Sequence, residues 1–245
     1  IKSPTVLNVA YQKVMLWNGQ FGATGLNEGT EANWQAGTPK ETNNLGFEGV
    51  ETQAIAGLTV HRMGITKGFC DEFGYTAMFD QAFPEISKEN RYTLETMGLA
   101  IAAYERTVLP NKSNFQKWLK GNTEAMSSKE KKGAAIFFGK GKCYECHNGP
   151  ALNSEAFYAL GMKDLAGPSV HGVVDAPTRK GRGGFTGNVN DDYKFKVPQL
   201  YNLKDAGFYG HGASFSSIKE IIVYKNRGDK ENFNVPDNHI SEECK

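Results

Sequence analysis

The most constraining feature of the chain is the pentapeptide Cys143-Tyr144-Glu145-Cys146-His147. Two thiols one helical turn apart can form thioethers with both vinyl groups of a haem, and the histidine that follows can present its imidazole to the iron. A zinc site would need a second Cys/His pair at a suitable distance, and a thioredoxin-like dithiol would need an adjoining βαβ pattern. The sequence offers neither. The motif therefore predicts a covalently attached haem c, with Cys143 and Cys146 as attachment residues and His147 as the metal ligand.

Composition limits the partners of such a chain. Its 245 residues carry a net charge of +1, so no global field favours nucleic acid or an anionic membrane, and a charged partner must be met by a local patch. No apolar run approaches the roughly 18 residues that span a bilayer. We therefore expect no nucleic-acid partner and no membrane span. Because haem c is attached outside the cytoplasm, the motif predicts a periplasmic or other extracytoplasmic protein.

The apolar pattern predicts a few good helices joined by long loops. Apolar residues recur at steps of three and four from Leu94 to Val108, which indicates a helix that ends before Pro110. Ser-x-x-Glu capping boxes at residues 127 and 217 mark the starts of two more helices. The 28 glycines and the scarcity of strand patterns favour loops elsewhere. The fold class expected is all-α, with cytochrome-c-like haem domains, long loops and little strand.

Several segments carry a resemblance to a known family. They are residues 4–8 with 16–19, 51–54, 101–107, 143–149 with Gly161, 195–202 and 209–212. Together they resemble the bacterial di-haem cytochrome c peroxidase family, which includes the MauG-type enzymes, and the resemblance runs over nearly the whole chain.

The resemblance implies two cytochrome-c-like domains, of which the N-terminal one binds peroxide at its haem and the C-terminal one takes in or relays electrons. By this comparison, residues 1–85 are the remainder of the N-terminal haem domain, residues 86–225 form the C-terminal c-type haem domain, and residues 226–245 return toward the N-terminal domain. Only one Cys-x-x-Cys-His is present. Since the family's first attachment motif lies upstream of the segment matching Pro4, we expect this sequence to be part of a longer di-haem protein.

The same resemblance suggests four catalytic candidates. Gln53 lies in the family's Gln-Ala motif, and His61 and Arg62 stand where the peroxidases place a glutamate that handles the peroxide proton. Arg62 cannot accept a proton at ordinary pH, whereas His61 can, with an ordinary surface or core-edge histidine as its alternative. Trp17 matches the tryptophan between the two haems, with a packed core residue as its alternative. Because this glutamate is absent, the resemblance does not decide whether peroxide is the substrate.

Further haem contacts follow from the family's closing motifs. The sixth ligand of the second haem is Met or Tyr in this family, and the matching helix places Tyr224 or Lys225 there. The alternative for Lys225 is a solvated lysine near a helix C-terminus, where the helix dipole favours it. His211 resembles a residue beside the second haem, with a loop histidine bonded to backbone as the competing account. The family's inter-domain calcium would depend on a position near Lys2 and on carbonyls of residues 206–208.

Cys70 lies outside the haem motif, and three fates are open to it. The alternatives are a buried, inert thiol, a disulfide with Cys244, and a further thioether with the haem of the missing domain. The third alternative rests on its position just after residues 61–63, which match the family's distal pocket.

These features predict a haem-dependent oxidoreductase of the di-haem cytochrome c peroxidase fold, in which the haem at His147 relays electrons to a catalytic haem. One alternative is a peroxidase-like subunit of a multihaem nitrogen-metabolising complex of the hydrazine synthase type. Another is a pure electron-transfer cytochrome c. The partners expected are an electron-donor cytochrome or cupredoxin and, in a complex, other multihaem subunits.

Overall fold

The computed structural model describes residues 3–168, 170, 172 and 174–244. Within these residues the chain is mostly helical, with one two-stranded sheet. The helices are α1 (Gly49–Val60), α2 (Lys67–Glu72), α3 (Thr76–Ala82), α4 (Leu94–Thr107), α5 (Asn114–Leu119), α6 (Ser128–Phe137), α7 (Ala176–Arg179), α8 (Arg182–Thr186) and α9 (Ile218–Arg227). The expectation of helices and long loops with little strand is therefore confirmed.

The sheet pairs β1 (Phe157–Tyr158) with β2 (Phe195–Lys196) in antiparallel register. Phe157 lies opposite Lys196, and Tyr158 lies opposite Phe195. The extended conformation of β2 fits its position shortly before Pro198, since residues ahead of proline avoid helical backbone angles. This pair is the one departure from an all-α chain among the described residues.

The chain divides into two compact units, which are described separately. The first unit comprises Gln12–Met15 and Gly19–Val108, and the second comprises Ile1–Tyr11, Leu16–Asn18 and Leu109–Lys245. The contact boundary therefore falls at residue 108, after α4, whereas the sequence suggested a boundary near residue 85. Whether each unit corresponds to one haem domain stays a prediction.

In the first unit, α1 packs against α4. The residues of α4 that are buried are small, namely Thr96, Gly98 and Ala102, and Gly98 lies directly against Ile55 of α1. The bounds expected for α4 are confirmed, but its large apolar residues do not form the buried face, and Tyr104 is 70% exposed. Small residues let the two helix backbones approach closely, which moves the larger side chains to the flanks of the contact.

The second unit contains the haem motif. A core cluster of Met162, Phe215 and Tyr224 lies under the inner face of α9. The two helices predicted from capping boxes are present as α6 and α9, whose N-caps Ser127 and Ser217 each accept a hydrogen bond from the backbone three residues on.

Candidate haem-attachment site

The haem motif lies in a helical turn that follows α6. Cys143–Glu145 form a 3-10 turn, and the His147 amide donates to the Cys143 carbonyl at 2.8 Å. This bond spans four residues, so the motif makes one helical turn, as the sequence predicted. Cys143 is exposed and Cys146 is half-buried, and both are free cysteines. Both thiols are therefore available for thioether formation.

The imidazole of His147 is oriented by the loop that follows the motif. Its Nδ1 donates to the Leu152 carbonyl at 3.0 Å, which leaves Nε2 without a proton and available to a metal. Burial lowers the pKa of His147, the nearby Lys225 lowers it further, and the carbonyls of Leu152 and Pro198 oppose this shift. The ring is therefore neutral at pH 7, as a metal ligand must be.

The side chains of α9 separate the two candidates for a sixth ligand. Tyr224 is buried among Met162 and Phe215, and its hydroxyl donates to the Leu160 carbonyl. Burial raises the pKa of the Cys146 thiol, and the exposed Lys225 opposes this rise while also lowering the pKa of His147. Because the Tyr224 hydroxyl already donates to a carbonyl and its ring packs in the core, the structure disfavours Tyr224 as a ligand and leaves Lys225 near the motif.

The exposed face of α9 is apolar beside Lys225. Ile218 and Ile222 are 38% and 61% exposed, and together with Lys225 they follow the i, i+4, i+7 spacing of one helix face. Ile221, in contrast, packs on the core cluster. The helix is therefore apolar on two sides, one covered by protein and one open toward Lys225.

Trp17 and His211 lie together in the second unit. The His211 ring stacks on Phe195, with centroids 3.6 Å apart and planes within 9°, and the Trp17 ring meets His211 edge-on at 6.5 Å. Burial lowers the pKa of His211 to about 4, against a smaller opposing effect of Asp164. His211 is therefore a neutral, stacked histidine at pH 7. An additional hydrogen bond from the Lys196 amide to the Trp17 carbonyl at 2.7 Å connects this group to β2.

Two buried cations near this group were not expected from the sequence. Lys196 is 6% exposed, and burial lowers its pKa to about 8. Arg182 is 5% exposed, donates to the Asn18 carbonyl and places its guanidinium 4.7 Å from the centre of the Phe157 ring. Nothing in the local pattern marks either residue as buried, except that Lys196 stands between apolar neighbours.

Comparison with known proteins decides the family. A family model described as di-haem cytochrome c peroxidase matches residues 1–124, just over half of the chain. The chain belongs to the di-haem cytochrome c peroxidase family. The resemblance carried by the sequence motifs is thereby confirmed, and membership implies c-type haem as the cofactor.

Relatives within this family include peroxidases and MauG proteins. The cytochrome c551 peroxidase of Pseudomonas aeruginosa is 29% identical over 221 residues, covering 90% of this chain and 56% of the relative. The methylamine utilization protein MauG of Methylophilus methylotrophus is 29% identical over 229 residues, covering 91% and 57%. A solved MauG-like protein associated with microbial copper homeostasis superposes with a TM-score of 0.54 and 25% identity, covering 70% of this chain and 50% of that one. The chain thus spans about half the length of its relatives.

The residues of the site fit the cofactor that the family implies. Two free thiols stand one helical turn apart, and a neutral imidazole beside them has an unprotonated Nε2. These are the donors that covalent haem attachment requires. Cys143, Cys146 and His147 are therefore the residues that would hold the group. The calcium suggested by the sequence stays a prediction, and Lys2 lies outside the described residues.

Three of the four catalytic candidates lie in the first unit, whereas Trp17 lies in the second. Gln53 is half-buried on α1, which ends at Val60, and His61 and Arg62 follow in exposed positions. Arg62 adopts a left-handed conformation with φ of 56°, and the Met63 amide donates to the Leu58 carbonyl at 2.8 Å, so the helix ends in a Schellman motif. The roles of these side chains stay predictions.

Cys70 is buried in the first unit. It is free and fully buried, and Phe79 and Tyr92 complete its core cluster. Burial raises the pKa of its thiol. Cys70 is free, which favours the buried, inert thiol; the disulfide with Cys244 stays a prediction, because the Cys244 side chain lies outside the described residues. A thioether to a haem would require this closed apolar cluster to open, which disfavours Cys70 as a cofactor-binding residue.

Among the residues that the structure describes, no helix is long and apolar enough to cross a membrane.

Proposed function

We propose that this chain is part of a haem-dependent oxidoreductase, and that the haem held by Cys143, Cys146 and His147 relays electrons to a second, catalytic haem. The observation that carries the proposal is the His147 imidazole, which is neutral, oriented by the Leu152 carbonyl and adjacent to two free thiols. A c-type haem bound here supplies a one-electron redox centre. The whole enzyme would work in the periplasm or another extracytoplasmic compartment.

The residues around His147 support relay rather than substrate binding. The Leu152 carbonyl fixes the ring orientation and increases the basicity of Nε2. Lys225 would be the candidate for a further ligand, since its charge acts on both Cys146 and His147. An amine must lose its proton to bind iron.

The stacked group of Trp17, His211 and Phe195 offers a route for electrons within the second unit. Its rings are in close contact, and His211 is neutral, so no ionic group interrupts the stack. We propose that Trp17 and His211 serve this relay. The alternative, that they only fill the core, predicts loss of stability without loss of electron-transfer rate when Trp17 is replaced by Phe.

Substrate chemistry is assigned to the first unit, where Gln53, His61 and Arg62 lie. His61 is the one side chain of residues 61–63 that can exchange a proton near pH 7. A peroxidase mechanism that depends on a carboxylate would therefore need a different proton acceptor in this chain. Peroxide is a substrate to be tested by experiment. The hydrazine synthase type of complex stays a prediction.

The proposal is tested by replacing the attachment residues in the natural haem-containing protein. His147→Ala should keep haem bound through its thioethers but change the visible spectrum and abolish reduction of that haem by the donor. The double variant Cys143→Ala/Cys146→Ala should lose the haem under denaturing conditions. His239→Ala, an exchange elsewhere in the same unit, is the matched control.

Two results would contradict the proposal. A His147→Ala protein with an unchanged low-spin spectrum would show that another residue binds the iron. Haem that is retained in the denatured double variant would show that attachment occurs elsewhere. If the natural protein contains only low-spin haem and turns over no substrate, the pure electron-transfer cytochrome becomes the better description.

A further inference from the structure

Positive charge is concentrated in one segment just ahead of the haem motif. Residues 111–142 contain eight lysines, two glutamates and no aspartate or arginine, whereas the entire chain has a net charge of +1. The remainder of the chain is therefore net acidic. Seven of these lysines are exposed and the eighth, Lys131, is half-buried. Like charges this close repel one another, so the cluster favours association with a negatively charged partner.

An apolar cleft of about 500 Å³ is lined by five residues of this basic segment and by ten residues from elsewhere in the same unit. Its lining includes Phe115, Leu119, Phe138, Tyr144 and Leu152, and no acidic residue lines it. Leu119 and Phe138 are 63% and 44% exposed, which is unusual for large apolar side chains that share one depression.

Five exposed lysines lie within one or two residues of a lining residue along the chain, and we define them as the rim of the cleft. They are Lys112, Lys117, Lys120, Lys140 and Lys142. The one ion pair found for this rim joins Lys142 to Glu145 at 3.9 Å, a long and exposed contact that neutralises little. An apolar centre surrounded by charged side chains is the usual anatomy of a transient protein interface. We call this surface the basic cleft.

The basic cleft lies behind the imidazole of the candidate iron ligand. Leu152 lines the cleft, and its carbonyl accepts the hydrogen bond from His147 Nδ1 at 3.0 Å. None of Cys143, Cys146 and His147 lines it, so the cleft is distinct from the space that the haem would occupy at Nε2. A molecule seated in the cleft would therefore contact the residue whose carbonyl is hydrogen-bonded to the candidate iron ligand.

We propose that the basic cleft docks a small electron-carrier protein through an acidic face with an apolar centre. This inference rests on the proposed function of the His147 haem. The reduced carrier loses one electron, and the iron bound by His147 gains it, so no proton or further reactant is needed. Lysines on the rim steer the encounter, and Leu119 and Phe138 exclude water at the centre of the contact. A nucleic acid or lipid headgroup would use the lysines but leave the apolar centre unexplained.

The test measures how fast a carrier reduces the haem in the full-length holoprotein. The probe is reduced plastocyanin, a copper protein with an acidic docking face, mixed with the oxidised protein in a stopped-flow instrument. The variant is Lys117→Glu/Lys120→Glu. The matched control is Lys163→Glu/Lys219→Glu, which makes the same change in net charge at exposed lysines more than two residues from any lining residue.

The bimolecular rate of the natural protein should fall steeply as the salt concentration rises from about 0.01 M to about 1 M, because screening removes electrostatic steering. At low salt the cleft variant should react at least about tenfold more slowly than the natural protein, and the control should stay within about twofold of it. Leu119→Gln, which keeps every charge, should weaken complex formation without changing the salt dependence.

Three outcomes would overturn the proposal. The cleft variant reacts as fast as the natural protein, or the control slows equally, or the cleft variant loses only its binding to phosphatidylserine vesicles or DNA. Dithionite separates these failures from a failure of the proposed function. A haem that dithionite reduces equally in all variants leaves the relay function standing, whereas a natural protein with no reducible haem c refutes that function itself.

Discussion

The contact between α1 and α4 makes a sharp prediction about one glycine. A methyl group added at Gly98 would lie 2.4 Å from Ile55 Cγ1, 2.8 Å from Ile55 Cα and 2.9 Å from Ile55 N. The Cγ1 atom can move by rotation of the side chain, but the backbone atoms cannot, so Gly98→Ala must push the two helices apart. Overpacking of this kind costs about 1–3 kcal/mol, with the upper end expected for a backbone clash. Alanine recovers about 1 kcal/mol through helix propensity. We therefore expect a net destabilisation of about 2 kcal/mol.

Gly57→Ala is the matched control, because Gly57 lies on α1 in the same unit. A methyl group there meets no heavy atom within 4 Å. The same substitution should therefore stabilise the unit by about 0.5–1 kcal/mol. Urea unfolding followed by circular dichroism at 222 nm measures both changes as shifts in the midpoint at constant slope. If Gly98→Ala is as stable as Gly57→Ala, the close approach of α1 and α4 is refuted.

Three further predictions concern His211, Cys70 and Arg62. Burial depresses the folded-state pKa of His211 to about 4, so the stability contributed by the neutral ring is fully present above about pH 6.5 and is lost as pH falls toward 4, by up to about 3 kcal/mol. His211→Gln should therefore flatten the dependence of the free energy of unfolding on pH, measured by urea unfolding. The same pH dependence in the variant and the natural protein would contradict this prediction. Cys70 should resist iodoacetamide in the folded protein and react once urea unfolds it without reductant, whereas reaction only after reduction would reveal a disulfide. Arg62→Gly should raise the free energy of unfolding by about 1 kcal/mol, because glycine adopts the left-handed conformation of residue 62 without steric strain. Arg62→Ala should not raise it, and equal effects of the two variants would refute this explanation.

The elements that sequence predicted best are those with local signals. The start of α4 is set by a capping box at Thr93, and its end by the approach of Pro110. The turn of the haem motif is likewise local, because the spacing of Cys143 and Cys146 itself specifies one helical turn. These features need no knowledge of distant contacts, and the structure has them where the sequence predicted them.

The features that sequence missed depend on contacts distant along the chain. Residues 1–85 were expected to be loops with short helical pieces, yet α1 is a regular helix of 12 residues. Its buried residues include Val50, Ile55 and Leu58 on different sides, so no amphipathic period marks it. The choice between Tyr224 and Lys225 also required knowing which side of α9 faces the core. The burial of Lys196 depends on the segment around Trp17, far away in sequence.

The two sides of His147 have different consequences for what the second unit can do. On the Nδ1 side, the proposed docking at the basic cleft would bring a carrier protein to Leu152, whose carbonyl orients the imidazole. On the Nε2 side, an amine from Lys225 would fill the last coordination position and leave none for a substrate. A haem bound in this way can exchange electrons but cannot activate a small molecule, so substrate chemistry requires another centre. Replacement of Lys225 by Ala should therefore convert the haem from low-spin to high-spin and let it bind cyanide rapidly, with Lys219→Ala as the control. A spectrum and a cyanide rate that match the natural protein would show that Lys225 is only a solvated lysine, and the relay haem would then need a different sixth ligand.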